Sequence, residues 1–203
     1  MNKLLLAALI ACCANASATV LTFDDLNAAG LPAIADGYGG FLWNIDTSVG
    51  VANGVQQAAN NPGASGFATG VVSSPNVAFN FGGGSPTTIM RQDGTFTFNS
   101  AYFTSSSGIQ NLTFTGLLDN NAIFQSSTYT ISQAGPFLIT LDWSGIDTLQ
   151  ISSDMDGNPP WVMDNFTFDA GNSGGNGTVP EPLSLSLMGL GLAAIGVARR
   201  RKG

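Results

Sequence analysis

The chain has no histidine, and its two cysteines, Cys12 and Cys13, stand side by side near the N-terminus. Without histidine it lacks the commonest general base and the commonest transition-metal ligand. If residues 1–18 are removed as a leader, no thiol remains. Disulfide scaffolds, zinc–thiolate sites and cysteine nucleophiles are then excluded from the mature body. Basic residues are almost missing from the middle: Lys3, Arg199, Arg200, Arg201 and Lys202 lie in the terminal segments, and Arg91 alone lies between Thr19 and Thr178. That stretch has no Glu and no Lys but twelve Asp, so twelve carboxylates against one guanidinium give a net charge of −11. A body of that sign offers no basic face to phosphates, which excludes nucleic acid as a partner. The aspartates suit turns and solubility or, alternatively, the uptake of divalent cations.

The two ends carry the strongest patterns. "MNKLLLAALIACCANASA" reads as a signal peptide over residues 1–18: Lys3, an apolar run from Leu4 to Cys13, then Ala16-Ser17-Ala18. Ala16 and Ala18 form the A-x-A site of signal peptidase, with Thr19 as the mature start. A competing reading takes Leu9-Ile10-Ala11-Cys12 as a lipoprotein box with Cys12 lipidated. At the other end, residues 183–198 are apolar apart from Ser184 and Ser186. As a helix they span about 24 Å, a little short of a ~30 Å hydrocarbon core. The basic cluster Arg199, Arg200, Arg201 and Lys202 follows at once. Cations beside an apolar span stay on the cytoplasmic side, so the body is expected outside the inner membrane.

Val179-Pro180-Glu181-Pro182, an apolar helix and a terminal basic cluster occur in that order within residues 179–203. This tail resembles the PEP-CTERM sorting signal of Gram-negative bacteria. The resemblance implies recognition by an exosortase, a membrane-embedded cysteine protease or transpeptidase that cuts near the Pro-Glu-Pro motif. It also implies a species that makes exopolysaccharide and biofilm. The physics agrees. Two prolines keep the motif extended, as a protease site requires. Residues 171–178, "GNSGGNGT", form a flexible linker that gives access to it.

Between the ends, residues 19–170 alternate with period two. "GTFTFNSAYF", "NLTFTGLL", "PFLITLDW", "TLQIS" and "WVMDNFTF" read as strands, as do "VLTF", "YGGFLWNI", "GFATGVV" and "NVAFNF". Turn-formers such as "GGGSP", "SSSG" and "LDNN" separate them. Helical periodicity is nearly absent, with one turn allowed in "VQQAANNPG". The expectation is an all-β, two-sheet sandwich of jelly-roll type, in which the first and last strands can pair; an up-and-down barrel is the alternative.

Strict alternation puts Val162, Asp164, Phe166 and Phe168 on one face of the last strand, and Trp161, Met163 and Asn165 on the other. A carboxylate among inward phenylalanines needs a cation, donors or a proton. If the first strand pairs with the last, Asp24 or Asp25 converges with Asp164, an oxygen-rich arrangement suited to structural Ca²⁺. "FDD" and "MDNFTF" loosely resemble jelly-roll carbohydrate-binding modules, which implies the same calcium. The alternative has Asp24 and Asp25 capping a turn and Asp164 held by backbone N–H groups. "DMDG", with Asp154 and Asp156, fits a plain turn or the opening of a calcium loop. Tyr38, flanked by glycines, and Trp161, on the face opposite Phe166, are the candidates for stacking on a sugar, with core or rim packing as the default. No residues form a nucleophile–base set, so no catalytic residue is assigned; an Asp pair acting as a glycosidase is the remaining enzymatic reading. The sequence thus points to a non-catalytic surface or matrix protein, or a Ca-stabilised carbohydrate-binding module, touching polysaccharide.

Overall fold

The computed structural model describes residues 18–155 and 159–170. In chain order the strands and helices are β1 (Thr19–Leu21), β2 (Phe41–Leu42), β3 (Val49–Asn53), α1 (Gly54–Asn60), α2 (Gly66–Thr69), β4 (Asn76–Asn80), β5 (Thr87–Arg91), β6 (Phe96–Ser105), β7 (Ile109–Leu118), β8 (Asn121–Gln125), β9 (Tyr129–Ser132), β10 (Phe137–Ile146), β11 (Thr148–Ser153) and β12 (Trp161–Ala170). The first sheet runs β10-β6-β12-β4-β3, with β1 also on β12; the second runs β2-β5-β11-β7-β8, with β9 also on β7. Every pairing is antiparallel. The result is the expected two-sheet sandwich, and its first and last strands pair through Thr19↔Phe168 and Leu21↔Phe166.

The sheets face each other across an aromatic core. Phe96, Phe98 and Phe103 of β6 and Trp161, Met163, Phe166 and Phe168 of β12 meet Leu112, Phe114, Ile89, Leu149 and Ile151 of the second sheet. Phe103 and Phe114 pack edge to face across the gap, 5.3 Å between centroids. A smaller cluster lies on the opposite side of the first sheet. There Ala52, Val77, Phe79 and Val162 are covered by Ala64 and Phe67. The β3–β4–β12 end of that sheet is therefore apolar on both faces, and the short helices shield the outer one.

Two expectations need correction here. "GFATGVV" reads as a strand but holds α2, because Gly66 packs directly on the Ser105 carbonyl of β6, where a side chain has no room. "VQQAANNPG" holds a two-turn helix rather than a single turn. Asn53 Oδ1 caps it by accepting from the Gln56 N–H, 3.0 Å away. In addition, β3, β5, β8 and β9 are strands that the periodicity did not reveal.

The last strand departs from strict alternation. Asp164 pairs with Tyr102, but the next register pair is Thr167↔Ser100, so β12 carries an extra residue there. Asn165 takes a left-handed φ of 53° at this bulge. Trp161 and Met163 consequently share the main core with Phe166 and Phe168, whereas Val162 packs with Ala64 and Phe67 and Asp164 meets Val72 and Ser73 after α2. Simple parity had separated Trp161 from Phe166; the bulge reunites them.

Candidate functional site

Asp164 is fully buried. Its surroundings follow from the edge of β12. β4 pairs with Val162 and Met163, and β1 pairs from Phe166 onward, so the edge is unpaired at Asp164 and Asn165. The segment before β4 fills this gap. Val72 N–H and Ser73 N–H donate to Asp164 Oδ2 at 2.7 and 2.8 Å. Ser73 Oγ–H and Asn165 N–H donate to Oδ1 at 2.9 and 2.7 Å. Burial raises the Asp164 carboxyl above the ordinary range, and these donors pull it back only in part.

Asp24 does related work nearby. It accepts the Asn76 N–H at 2.9 Å, while the Asn76 amide donates to the carbonyls of Phe23 and Leu26, each at 2.9 Å. Asp25 is exposed and accepts from the Tyr38 hydroxyl at 2.8 Å. The three aspartates thus serve three separate hydrogen-bonded sets. Among the described residues no group of three acidic side chains is placed to hold a metal ion. Asp164 follows the backbone-donor alternative, with both oxygens occupied by groups of this chain.

The two stacking candidates part company. Trp161 has no exposed surface and packs on Phe103 with centroids 5.7 Å apart. The bulge turns it inward, so it is a core residue and cannot stack on a ligand. Tyr38 is half-buried in a cluster with Phe23 and Trp43, and its carbonyl accepts from Trp43 Nε1 at 2.9 Å. Burial first, and then the bond to Asp25, raise its hydroxyl above the usual phenol range. Arg91, the lone cation of the body, donates to the Gly39 carbonyl at 2.8 Å and lies over Phe41 and Phe168, 4.9 and 5.3 Å from their centroids. It supports the aromatic core rather than an anion site.

Asp154 accepts the backbone and side-chain N–H groups of Asn111, both at 2.7 Å, and these bonds hold its carboxyl below the ordinary range. These bonds anchor the Asp154 end of the loop to Asn111 of β7. Asp156 lies outside the described residues.

Open concave surface occurs beside α1. One cleft of about 380 Å³ is lined by Ala28 to Leu31 with Asn53, Gln56, Gln57 and Asn60. A second, of about 370 Å³, lies across Gln57 and includes Asn61, Phe67, Phe79 and Ser106. Neither has a carboxylate in its lining, so neither offers the acid pair of a glycosidase. The sequence signal for this surface was "QQAANN", a run of carboxamides without charge.

The sorting residues Val179, Pro180, Glu181 and Pro182, the apolar span 183–198, the cluster Arg199 to Lys202, the linker 171–178 and the cleavage residue Ala16 lie outside the described residues. Among the described residues no helix is long and apolar enough to cross a membrane. The sequence itself is informative in comparison. Comparison with curated proteins gives no match. Among solved structures the chain is similar to the K2 cleaved adhesin domain of Lys-gingipain, with 10% identity, a TM-score of 0.39 and coverage of 76% of this chain and 99% of that one. Residues 178–202 match the family described as the PEP-CTERM protein-sorting motif. The tail is a PEP-CTERM sorting motif, which marks the chain that bears it for export and exosortase-dependent sorting to the cell surface.

Proposed function

We propose that this protein is a non-catalytic component of the cell surface or extracellular matrix, delivered by its tail and used in contact with exopolysaccharide. The observation that carries the reading is the sorting motif at 178–202, joined to a β-sandwich by a Gly/Asn/Ser linker. Signal peptidase removes residues 1–18. The span 183–198, stopped by Arg199 to Lys202, then holds the chain at the inner membrane until an exosortase cuts near Pro180–Pro182. Fractionation of cells with and without the exosortase tests this. The body should move from the membrane fraction to the surface or medium only when the enzyme is present; an unchanged distribution would reject the reading.

The clefts beside α1 favour a more specific form of polysaccharide contact. Carboxamides donate and accept at once, which suits sugar hydroxyls, and Gln57 borders both clefts. A surface without carboxylates in an otherwise anionic body favours uncharged glycans. Glycan-array binding by the full chain, lost in Gln57→Ala at unchanged melting temperature, is the expected outcome. Binding that survives Gln57→Ala but fails in Tyr38→Ala would move the contact to the Tyr38 face.

A further inference from the structure

Thr88, Gln150 and Asp46 meet on the outer face of the second sheet. Thr88 of β5 and Gln150 of β11 are direct register partners. Gln150 Nε2 donates to Thr88 Oγ1 at 3.4 Å, and the Thr88 hydroxyl donates to Asp46 Oδ2. Thr88 is only 3% exposed, whereas Asp46 is exposed. The hydroxyl is thus held between a carboxylate able to take its proton and a carboxamide. The Cδ of that carboxamide lies one covalent bond from the nitrogen already touching the hydroxyl. The last torsion of Gln is broad, so the carboxamide plane can turn about the Cγ–Cδ bond until a face of the carbonyl carbon, rather than the N–H edge, is presented to Thr88 Oγ1.

We propose that Thr88 and Gln150 join in an intramolecular side-chain ester, with Asp46 as base and then acid. Asp46 takes the Thr88 proton as Oγ1 bonds to Gln150 Cδ. The Cδ–Nε2 bond then breaks, and the proton held by Asp46 leaves with the nitrogen as ammonia. One O–C bond replaces one C–N bond, nothing is oxidised or reduced, and no co-reactant is needed. Burial of Thr88 restricts water, the competing nucleophile. Escape of ammonia into bulk solvent draws the exchange forward.

Composition narrows the options in the same direction. Residues 19–170 have no Cys for a disulfide and no Lys for a side-chain amide link, but they are rich in Thr and carboxamides. The ester ties residues 62 positions apart, and so restricts the unfolded chain as a disulfide of that span would. Thr130 and Asn111 give an internal contrast. The Thr130 hydroxyl donates to the Asn111 amide oxygen at 2.7 Å and not to a carboxylate, so it has no base and should remain unlinked.

The test is peptide mass spectrometry on the purified full chain after digestion at aromatic residues. The expected result is the Thr88 peptide joined to the Gln150 peptide, lighter than their sum by one ammonia, with Thr130 and Asn111 peptides separate. Asp46→Asn and Thr88→Val should each abolish the joined species while retaining the strand signature in circular dichroism. Full recovery of separate peptides with Gln150 intact would overturn the proposal, as would Glu at position 150, which would mean that water had reached the carboxamide. Linkage that persists in Asp46→Asn would overturn the role of Asp46. The wild-type measurement stands alone if a variant fails to fold.

Discussion

At the scale of single residues, Asp164 is the one fully buried charged side chain among the described residues. Its side chain satisfies backbone N–H groups of Val72 and Ser73 where the strand edge is interrupted. Asp164→Ala would leave these donors buried without partners, at a cost of about 3 kcal/mol, read as a lower urea midpoint. Because the folded carboxyl holds its proton more tightly than the unfolded one, the Asp164 contribution is greatest in acid. It declines as pH rises from about 4 through the raised value. Wild-type stability relative to Asp164→Asn should therefore fall across that window; an advantage that grows with pH would contradict the account. Trp161 gives a second test. As a core residue, Trp161→Ala should cost about 3–5 kcal/mol by cavity formation, whereas an exposed stacking residue would cost little. Urea unfolding of the variant separates the two.

At the scale of elements, the strands were legible wherever alternation runs unbroken, as in β7, where Leu112 and Phe114 are buried. Alternation failed where pairing changes phase. The left-handed residues Asn165 and Asp142 stand at register shifts in β12 and β10, and Phe98 gives way to Ala101 as the next core residue of β6. A bulge answers to its partner strand, and the partner is distant in sequence, so local reading cannot place it. The same holds for α2, whose four residues have no helical period long enough to detect and are fixed by contact with the end of β6. Gly66→Ala should push α2 off the Ser105 carbonyl and cost about 1–3 kcal/mol. A melting temperature equal to wild type would show that this close approach is not required.

At the scale of the whole molecule, the tail was legible because its parts are contiguous: a proline pair, an apolar span and cations, in order. The site in the body was not. The partners of Asp164 lie more than ninety residues upstream, and the carboxamide surface of α1 gains meaning only beside Ala28–Leu31. An anionic body with one cation and no thiols is suited to a crowded exterior, where like charge limits aggregation. The sandwich is the folded body and the tail supplies the address. The central claim is that the address is read by a protease. The most direct measurement is the mass of the C-terminal peptide of the exported chain, in isogenic cells with and without the exosortase. The account predicts an end near Pro180–Pro182 in the first and an end at Gly203 in the second; the same terminus in both would contradict it.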